Sequence, residues 1–370
     1  MRRIVWILLV LIMGAPAWAD SDRITVQQLK DLLVSMNQGK KTDEEVSTRI
    51  KEIELSEELT ATEKSNLMFA SPGPLTSEQI CVLEARSSML APPPSSLPNL
   101  PAPDAAAQKV ILDKALSFAA KNDQLIPRLT ALKTVAHYGQ RNNFNPWGKR
   151  AGALEGGIVR DRGDKSIMSL TSKYMETVEN DQGVEKVTVS GADPRMRRLS
   201  QTSEGGTRPA PSMILRQANE GGNVRWLRWE TINGVKTAVF SFAVDKKNAL
   251  YGVDYCCFPT RGNFGGDSEW KPFKKTVGLH GEFFIEPDTG TTLRIVMQAE
   301  FVPTDFVEQE DTRIDYGKET IDGNTYVVPV GSFMKIQVDS TGDSDKGYIM
   351  RRTFLVASYA NFHPAKPAKK

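Results

Sequence analysis

Between positions 293 and 301, Leu293, Ile295, Met297, Ala299 and Phe301 take every second place, with Arg294, Gln298 and Glu300 between them. Only an extended strand with one buried face has this period, because successive strand side chains point to opposite sides of a sheet. The same alternation recurs through the second half of the chain. Residues 224–231 and 236–244 flank Asn233-Gly234, a dipeptide suited to a two-residue type I′ hairpin. On its second arm Ala238, Phe240, Phe242 and Val244 share a face. Further strands are expected at 173–178, 184–189, 281–286, 292–301, 313–316, 326–338 and 352–362. The turn residues Pro287-Asp288-Thr289-Gly290 and Asp322-Gly323 punctuate them. An antiparallel sheet with one apolar face follows, and that face must be covered by a helix or by a ligand.

The first part of the chain has a helical period instead. Thr25 with Gln28 and Thr42 with Glu45 form capping-box patterns, and Thr60 with Glu63 and Thr76 with Gln79 repeat the spacing. Behind them Val26, Leu29, Leu32, Leu33, Val46, Ile50, Ile53, Ile80 and Leu83 recur at three- and four-residue steps. Short helices of this kind need one another's apolar faces, so residues 20–90 read as a small bundle. Residues 91–103 hold Pro92, Pro93, Pro94, Pro98, Pro101 and Pro103, a semi-rigid spacer. Residues 104–135 read as another helix, N-capped by Asp104, with Pro127 interrupting it. Residues 200–212 read as loop.

Residues 1–19 read as a signal peptide: Arg2 and Arg3, an apolar run from Ile4 to Met13, then small Ala17 and Ala19 around Trp18. The run is too short for a membrane span, so export without an anchor is expected. The balance of 47 basic against 45 acidic residues argues against a nucleic-acid partner. The basic end, residues 364–370, reads as a disordered tail.

The chain offers little catalytic chemistry. His137, His280 and His363 lie far apart, which disfavours a metal site, and no cofactor is expected. The Gly pairs sit in turns rather than in a phosphate-binding loop. Asp339, Asp343 and Asp345 lack the order of a calcium loop. Three cysteines, Cys81, Cys256 and Cys257, cannot all pair within one chain. Free thiols, a bridge from Cys81 to one of the neighbouring pair, or a strained vicinal disulfide all remain open. Trp226 and Trp229, three apart on a strand, are expected on opposite faces.

Ile314-Asp315-Tyr316-Gly317, Ile321-Asp322-Gly323, Tyr326-Val327-Val328-Pro329 and Pro287-Asp288-Thr289-Gly290 together resemble a signature of the LolA/LolB-like periplasmic fold. That resemblance implies an incomplete antiparallel barrel closed by helices, in a fold whose members carry lipoproteins or lipids. Leu55-Ser56-Glu57-Glu58-Leu59, the proline linker and Tyr255-Cys256-Cys257 are similar to a family of exported, chiefly acidobacterial proteins.

The expected architecture is therefore α+β: a helical module (20–90), a linker (91–103), and an antiparallel half-barrel with its covering helix (104–363). The expected function is a non-enzymatic, periplasmic or secreted protein. It would hold a lipid, or the acyl chain of a lipoprotein, in a cavity lined by Phe240, Phe242, Leu293, Ile295, Met297 and Tyr326. The alternative is a scaffold whose cavity is filled by its own helix and which docks an envelope protein.

Overall fold

The computed structural model describes residues 23–125, 128–140, 168–181, 184–190, 211–221, 223–259, 270–339 and 350–365. The expected signal segment, the far end of the basic tail, and the loop holding Asp343 and Asp345 lie outside the described residues.

The helical module comprises β1 (Arg23–Ile24), α1 (Val26–Gln38), α2 (Asp43–Lys51), β2 (Glu54–Leu55), α3 (Ala61–Phe69) and α4 (Pro74–Ser87). The capping boxes at Thr25 and Thr42 are both formed. Helix α4 starts three residues earlier than its Thr-x-x-Gln pattern suggests, with Gly73 rather than Thr76 at the N-cap. Pro74 opens it, and Asp43 of α2 caps it from outside, accepting from the backbone N–H of Leu75 and Thr76 at 2.9 and 2.8 Å. A carboxylate at a helix N-terminus satisfies orphan donors and complements the helix dipole. Leu29, Leu33, Val46, Ile50, Ile53, Leu67, Ile80 and Leu83 form the module's own core, and β1 pairs in parallel with β2.

Beyond the linker come α5 (Ala105–Leu125), β3 (Leu129–Gln140), β4 (Met168–Asp181), β5 (Val184–Ser190), α6 (Pro211–Glu220), β6 (Val224–Ile232) and β7 (Val235–Val244). Then follow β8 (Gly252–Pro259), β9 (Trp270–Thr276), β10 (Gly278–Ile285), β11 (Thr292–Glu300), β12 (Val307–Ile321), β13 (Asn324–Asp339) and β14 (Met350–Pro364). Ten strands make one open antiparallel sheet in the order β5-β4-β3-β14-β13-β12-β11-β10-β7-β6, while β8 and β9 pair separately. The type I′ hairpin expected at Asn233-Gly234 is present, with φ of 49° and 82°, and the turn at Asp322-Gly323 has the same left-handed form, with φ of 49° and 80°.

Two expectations change. Residues 129–140 form a central strand, not the end of a helix. After Pro127, Leu129, Ala131, Lys133 and Val135 are buried at alternate positions, a period of two hidden behind the preceding helix. The loop expected at 200–212 ends sooner: its last two residues, Pro211 and Ser212, open helix α6, which buries Ile214, Leu215 and Ala218 in a stretch for which no element was expected.

Both faces of the sheet are covered. On the front face, α5, α6 and the residues leading into β8 pack on β7, β10 and β11. The β8–β9 hairpin adds Tyr255 and Phe273 over Met334, Ile336, Val338, Leu355 and Ala357. On the back face, Val82, Ala85 and Cys81 of α4 pack against Tyr138, Met168, Phe333 and Phe354. Each fully buried aliphatic or aromatic side chain here contributes about 1.5–3 kcal/mol.

Helix α5 is fixed by the β10–β11 turn. Its Lys114 Nζ donates to Asp288 O at 3.2 Å. Gly290, at φ +79°, lies so close that an added Cβ would sit 2.5 Å from the Lys114 carbonyl. Alanine there meets both left-handed strain and a backbone collision. Gly290→Ala is expected to cost more than about 1 kcal/mol, read as a lowered thermal midpoint. Gly234→Ala, with open space around it, should cost less.

Candidate functional site

Four of the six residues expected to line a cavity do meet. Phe240, Phe242, Ile295 and Met297 share one cluster on the front face, each 1–3% exposed. Ile111 and Ala115 of α5 and Ile214, Leu215 and Ala218 of α6 fill the space over them. Leu293 and Tyr326 lie elsewhere. The register slips between Phe284 and Ile285, so Arg294 pairs with Phe284 and Thr292 with Ile285. Leu293 sits in that bulge and packs with Ile232, Val239, Phe284 and Val296, away from Ile295. Tyr326 packs beside Leu129, Ile321 and Val328.

A bulge also moves the tryptophans. The register of β6 against β7 slips between Trp226 and Arg228. Trp226 and Trp229 therefore fall on the same side, ring centroids 4.8 Å apart, where strict alternation separates them. Trp229 Nε1 donates to Pro101 O at 2.8 Å, tying the proline linker to the edge strand.

The chemistry lies on the back face. Register places Arg294 of β11 opposite Asp315 of β12, and Val296 opposite Arg313. Arg294 Nε donates to Asp315 Oδ1 at 2.5 Å, and Arg313 Nε donates to Asp315 Oδ2 at 3.0 Å. One carboxylate between two guanidiniums leaves an uncompensated positive charge on a nearly dry surface. Glu58, in the turn between β2 and α3, neutralises it. Arg313 Nη1 donates to Glu58 Oε1, and Arg294 Nη1 stands 3.6 Å from the same oxygen. The Glu58 backbone N–H donates to Ala91 O at 2.8 Å, and the Leu59 N–H to Ser87 Oγ at 3.0 Å. Those bonds hold this turn against the end of α4 and the start of the linker.

Arg228 of β6 extends the network. It grips Glu282 of β10 with both terminal nitrogens, at 3.2 and 2.8 Å, and its Nε donates to Glu230 Oε2 at 3.0 Å. Phe284 lies between the two guanidiniums, 5.8 Å from Arg228 Cζ and 5.4 Å from Arg294 Cζ. Residues 88–92 face these groups across a cleft of about 460 Å³, lined also by Leu227, Val296 and Gln298. His280 stands at its rim, Nδ1 3.3 Å from Glu300 Oε1. The cleft is within the usual size range for a small-molecule site.

Burial acts on two of the carboxyls with opposite outcomes. Glu230 is pushed above 4.5 by desolvation, which Arg228 and Arg294 only partly offset. Desolvation would also raise Asp315, but Arg313 and Arg294 hold it below 3.8. A depressed carboxyl stabilises the fold above its unfolded pKa, and that contribution is lost as pH falls through the folded value. A raised one acts in reverse: its contribution is present below 4.5 and lost as pH rises through the folded value. Urea-denaturation midpoints are therefore expected to fall as pH drops below 3.8. Asp315→Asn should flatten that acid limb while lowering stability at neutral pH.

Strand alternation alone puts these charged residues on the polar face of the sheet, which could meet water or another element, and gives them no further role. The available signal was their kind: arginine and carboxylate at alternate positions on neighbouring strands, where a wetted face commonly carries Lys, Ser and Thr. Cys81 is a free thiol whose ionisation burial opposes. Cys256 and Cys257 lie on β8 with side chains outside the described residues. His137 Nδ1 meets Thr171 Oγ1 and His363 Nδ1 meets Asn361 O, so the three histidines remain apart.

Fold and site together define an open antiparallel α+β protein, its front face filled by its own helices and its back face joined to a helical module across a charged cleft. No family model and no curated protein matches the chain. Among solved structures, it is similar to the crystal structure of a DUF1329 family protein from Desulfovibrio piger, at 10% identity over 70% of this chain and 95% of that one, with a TM-score of 0.26. A superposition that loose bears on neither ligand nor partner.

Proposed function

We propose that this is an exported, non-enzymatic interaction protein that binds through its back face and keeps its front face permanently filled. The carrying observation is the packing of Phe240, Phe242, Ile295 and Met297, each 1–3% exposed beneath α5 and α6. A lipid there would have to expel two helices and expose their apolar sides. Interiors are close-packed, and the space beneath those helices is already taken up by their own side chains. The charged groups of the back face are engaged in ion pairs, which suits recognition better than proton transfer. Export rests on the N-terminal layout of Arg2, Arg3 and the apolar run. Among the described residues no helix is long and apolar enough to cross a membrane.

Native mass spectrometry of protein purified gently from an exporting host tests the reading. The expected spectrum shows the processed chain without an added lipid mass. A bound lipid that stays with the folded protein would overturn the proposal and restore the carrier reading.

A further inference from the structure

One cation of the back face stands outside the ion pairs of its neighbours. Lys335 of β13 lies opposite Asp311 of β12 on one side and Phe354 of β14 on the other. Residues directly opposite in an antiparallel pair share a face, so its side chain lies on the back with those of Arg313 and Phe333. Lys335 is half-buried, and among the described residues it makes neither a hydrogen bond nor an ion pair.

The carboxylates around it are engaged elsewhere. Asp311, 3% exposed, accepts from Gln309 Nε2 at 2.5 Å and is also hydrogen-bonded to Gln298. Glu54 is held by Arg86 Nη2 at 2.8 Å and by Arg23 Nε at 3.5 Å. Glu308 accepts from Gln337 Nε2 at 2.8 Å, and Arg352 Nε donates to the oxygen of the same amide at 2.9 Å. Burial holds Lys335 below its usual 10.5; Asp311 and Glu54 oppose that, while Arg352 and Arg86 add to it. Cations from β13, β14 and the last turn of α4 therefore converge here. An ammonium drawn partly out of water without a counter-ion is costly unless an anion arrives. The place is open to solvent, for the side chains of Arg86 and Glu54 beside it are 21% and 30% exposed.

The same neighbours limit the charge of that anion. Asp311 and Glu54 act on Lys335, so they also repel whatever negative group sits against it. A singly charged group meets that repulsion once and a dianion twice.

Resting on the reading that the back face is where this protein binds, we infer that Lys335, with Arg352 and Arg86 around it, seats one carboxylate group. The ammonium donates to the carboxylate in a charge-assisted hydrogen bond, and the two guanidiniums strengthen the attraction. The carboxylate can belong to a free short-chain acid or to an aspartate or glutamate side chain of a partner protein, and the chemistry of recognition is the same.

NMR titration of the full mature chain, with ionic strength held constant by chloride, tests this with three probes. They are butyrate, a blocked tripeptide with a central glutamate, and inorganic phosphate at about pH 8, where it is largely a dianion. At least one carboxylate is expected to shift the backbone amides of Lys335, Arg352 and Phe354 to saturation, and phosphate is not; the tighter carboxylate identifies the source. Lys335→Gln removes the ammonium and is expected to weaken carboxylate binding at least about tenfold. Because it strips no partner of its counter-charge, its thermal midpoint should equal or exceed that of the wild type. The inference fails if neither carboxylate shifts those amides at about 50 mM, if phosphate binds as well as the carboxylates, or if carboxylate affinity survives in Lys335→Gln. It fails too if Lys335→Gln does not fold or melts more than about 4 °C lower, since the ammonium would then serve the fold. A lipid-bearing native spectrum would sink the wider proposal whatever the titrations show, whereas lipid-free protein indifferent to carboxylates would sink this inference alone.

Discussion

Replacing Glu58 by alanine is expected to lower the unfolding free energy by about 3–5 kcal/mol, the usual loss when one partner of a buried ion pair is removed. Glu58 is 4% exposed and Arg313 is 8%. Without the carboxylate, Arg313 keeps only Asp315, which it shares with Arg294, and Arg294 is left with Asp315 and the more distant Glu230. Neither guanidinium can shed a proton to escape, so the full desolvation cost falls on the folded state. Glu58→Gln, which retains an acceptor for Arg313 but no charge, should recover part of the loss. Asp113→Ala supplies the contrast. Its pair with Lys109 is well exposed on α5, and such pairs are worth about 0.5 kcal/mol or less. Urea denaturation of the three variants at neutral pH measures all of these. A Glu58→Ala loss below about 1 kcal/mol would mean that the module is not held to the sheet by this contact.

The same contact shows why part of this protein was legible in its sequence and part was not. Thr25 with Gln28, Thr42 with Glu45, Asn233-Gly234 and Asp322-Gly323 act within four residues, and each forms the cap or turn its chemistry dictates. The burial of Phe240, Phe242, Ile295 and Met297 on one face was equally local, a matter of counting in twos. Leu293 and the Trp226–Trp229 pair went astray because each adjoins a β-bulge, and a bulge is a property of two strands at once. One extra residue in a strand reverses the face of everything beyond it, and no single-strand pattern records the insertion.

The back face was hidden for a different reason. Arg294, Arg313 and Asp315 alternate with apolar residues just as solvated side chains do. What buries them is Glu58, 255 positions before Arg313. That distance is bridged by the packing of α4 on β3, β4, β13 and β14, and no local signal in residues 55–59 announces it. Strand β3 was missed through neighbourhood, its alternation following directly on a helix and a proline.

Phe283→Ala should be as costly as the loss of Glu58, by a wholly apolar route. Phe283 is 0% exposed on β10, paired across the sheet with Phe240 on one side and Ile295 on the other. Its ring stacks on Phe242 at 4.2 Å with 25° between the planes. Truncation removes the transfer energy of a phenyl ring and leaves a cavity that the sheet backbone cannot close, a loss of about 3–5 kcal/mol. Because the strands on either side are fixed by hydrogen bonds, the hole should persist beneath α5, lined by Phe240, Phe242 and Ile295. A dry apolar cavity of that kind takes up a benzene-sized probe. Xenon- or benzene-induced NMR shifts at β7 and β10 are therefore expected in Phe283→Ala and absent from the wild type. Binding of equal strength in both proteins would show that the front face already contains vacant apolar space, and the carrier reading would then have the room it needs.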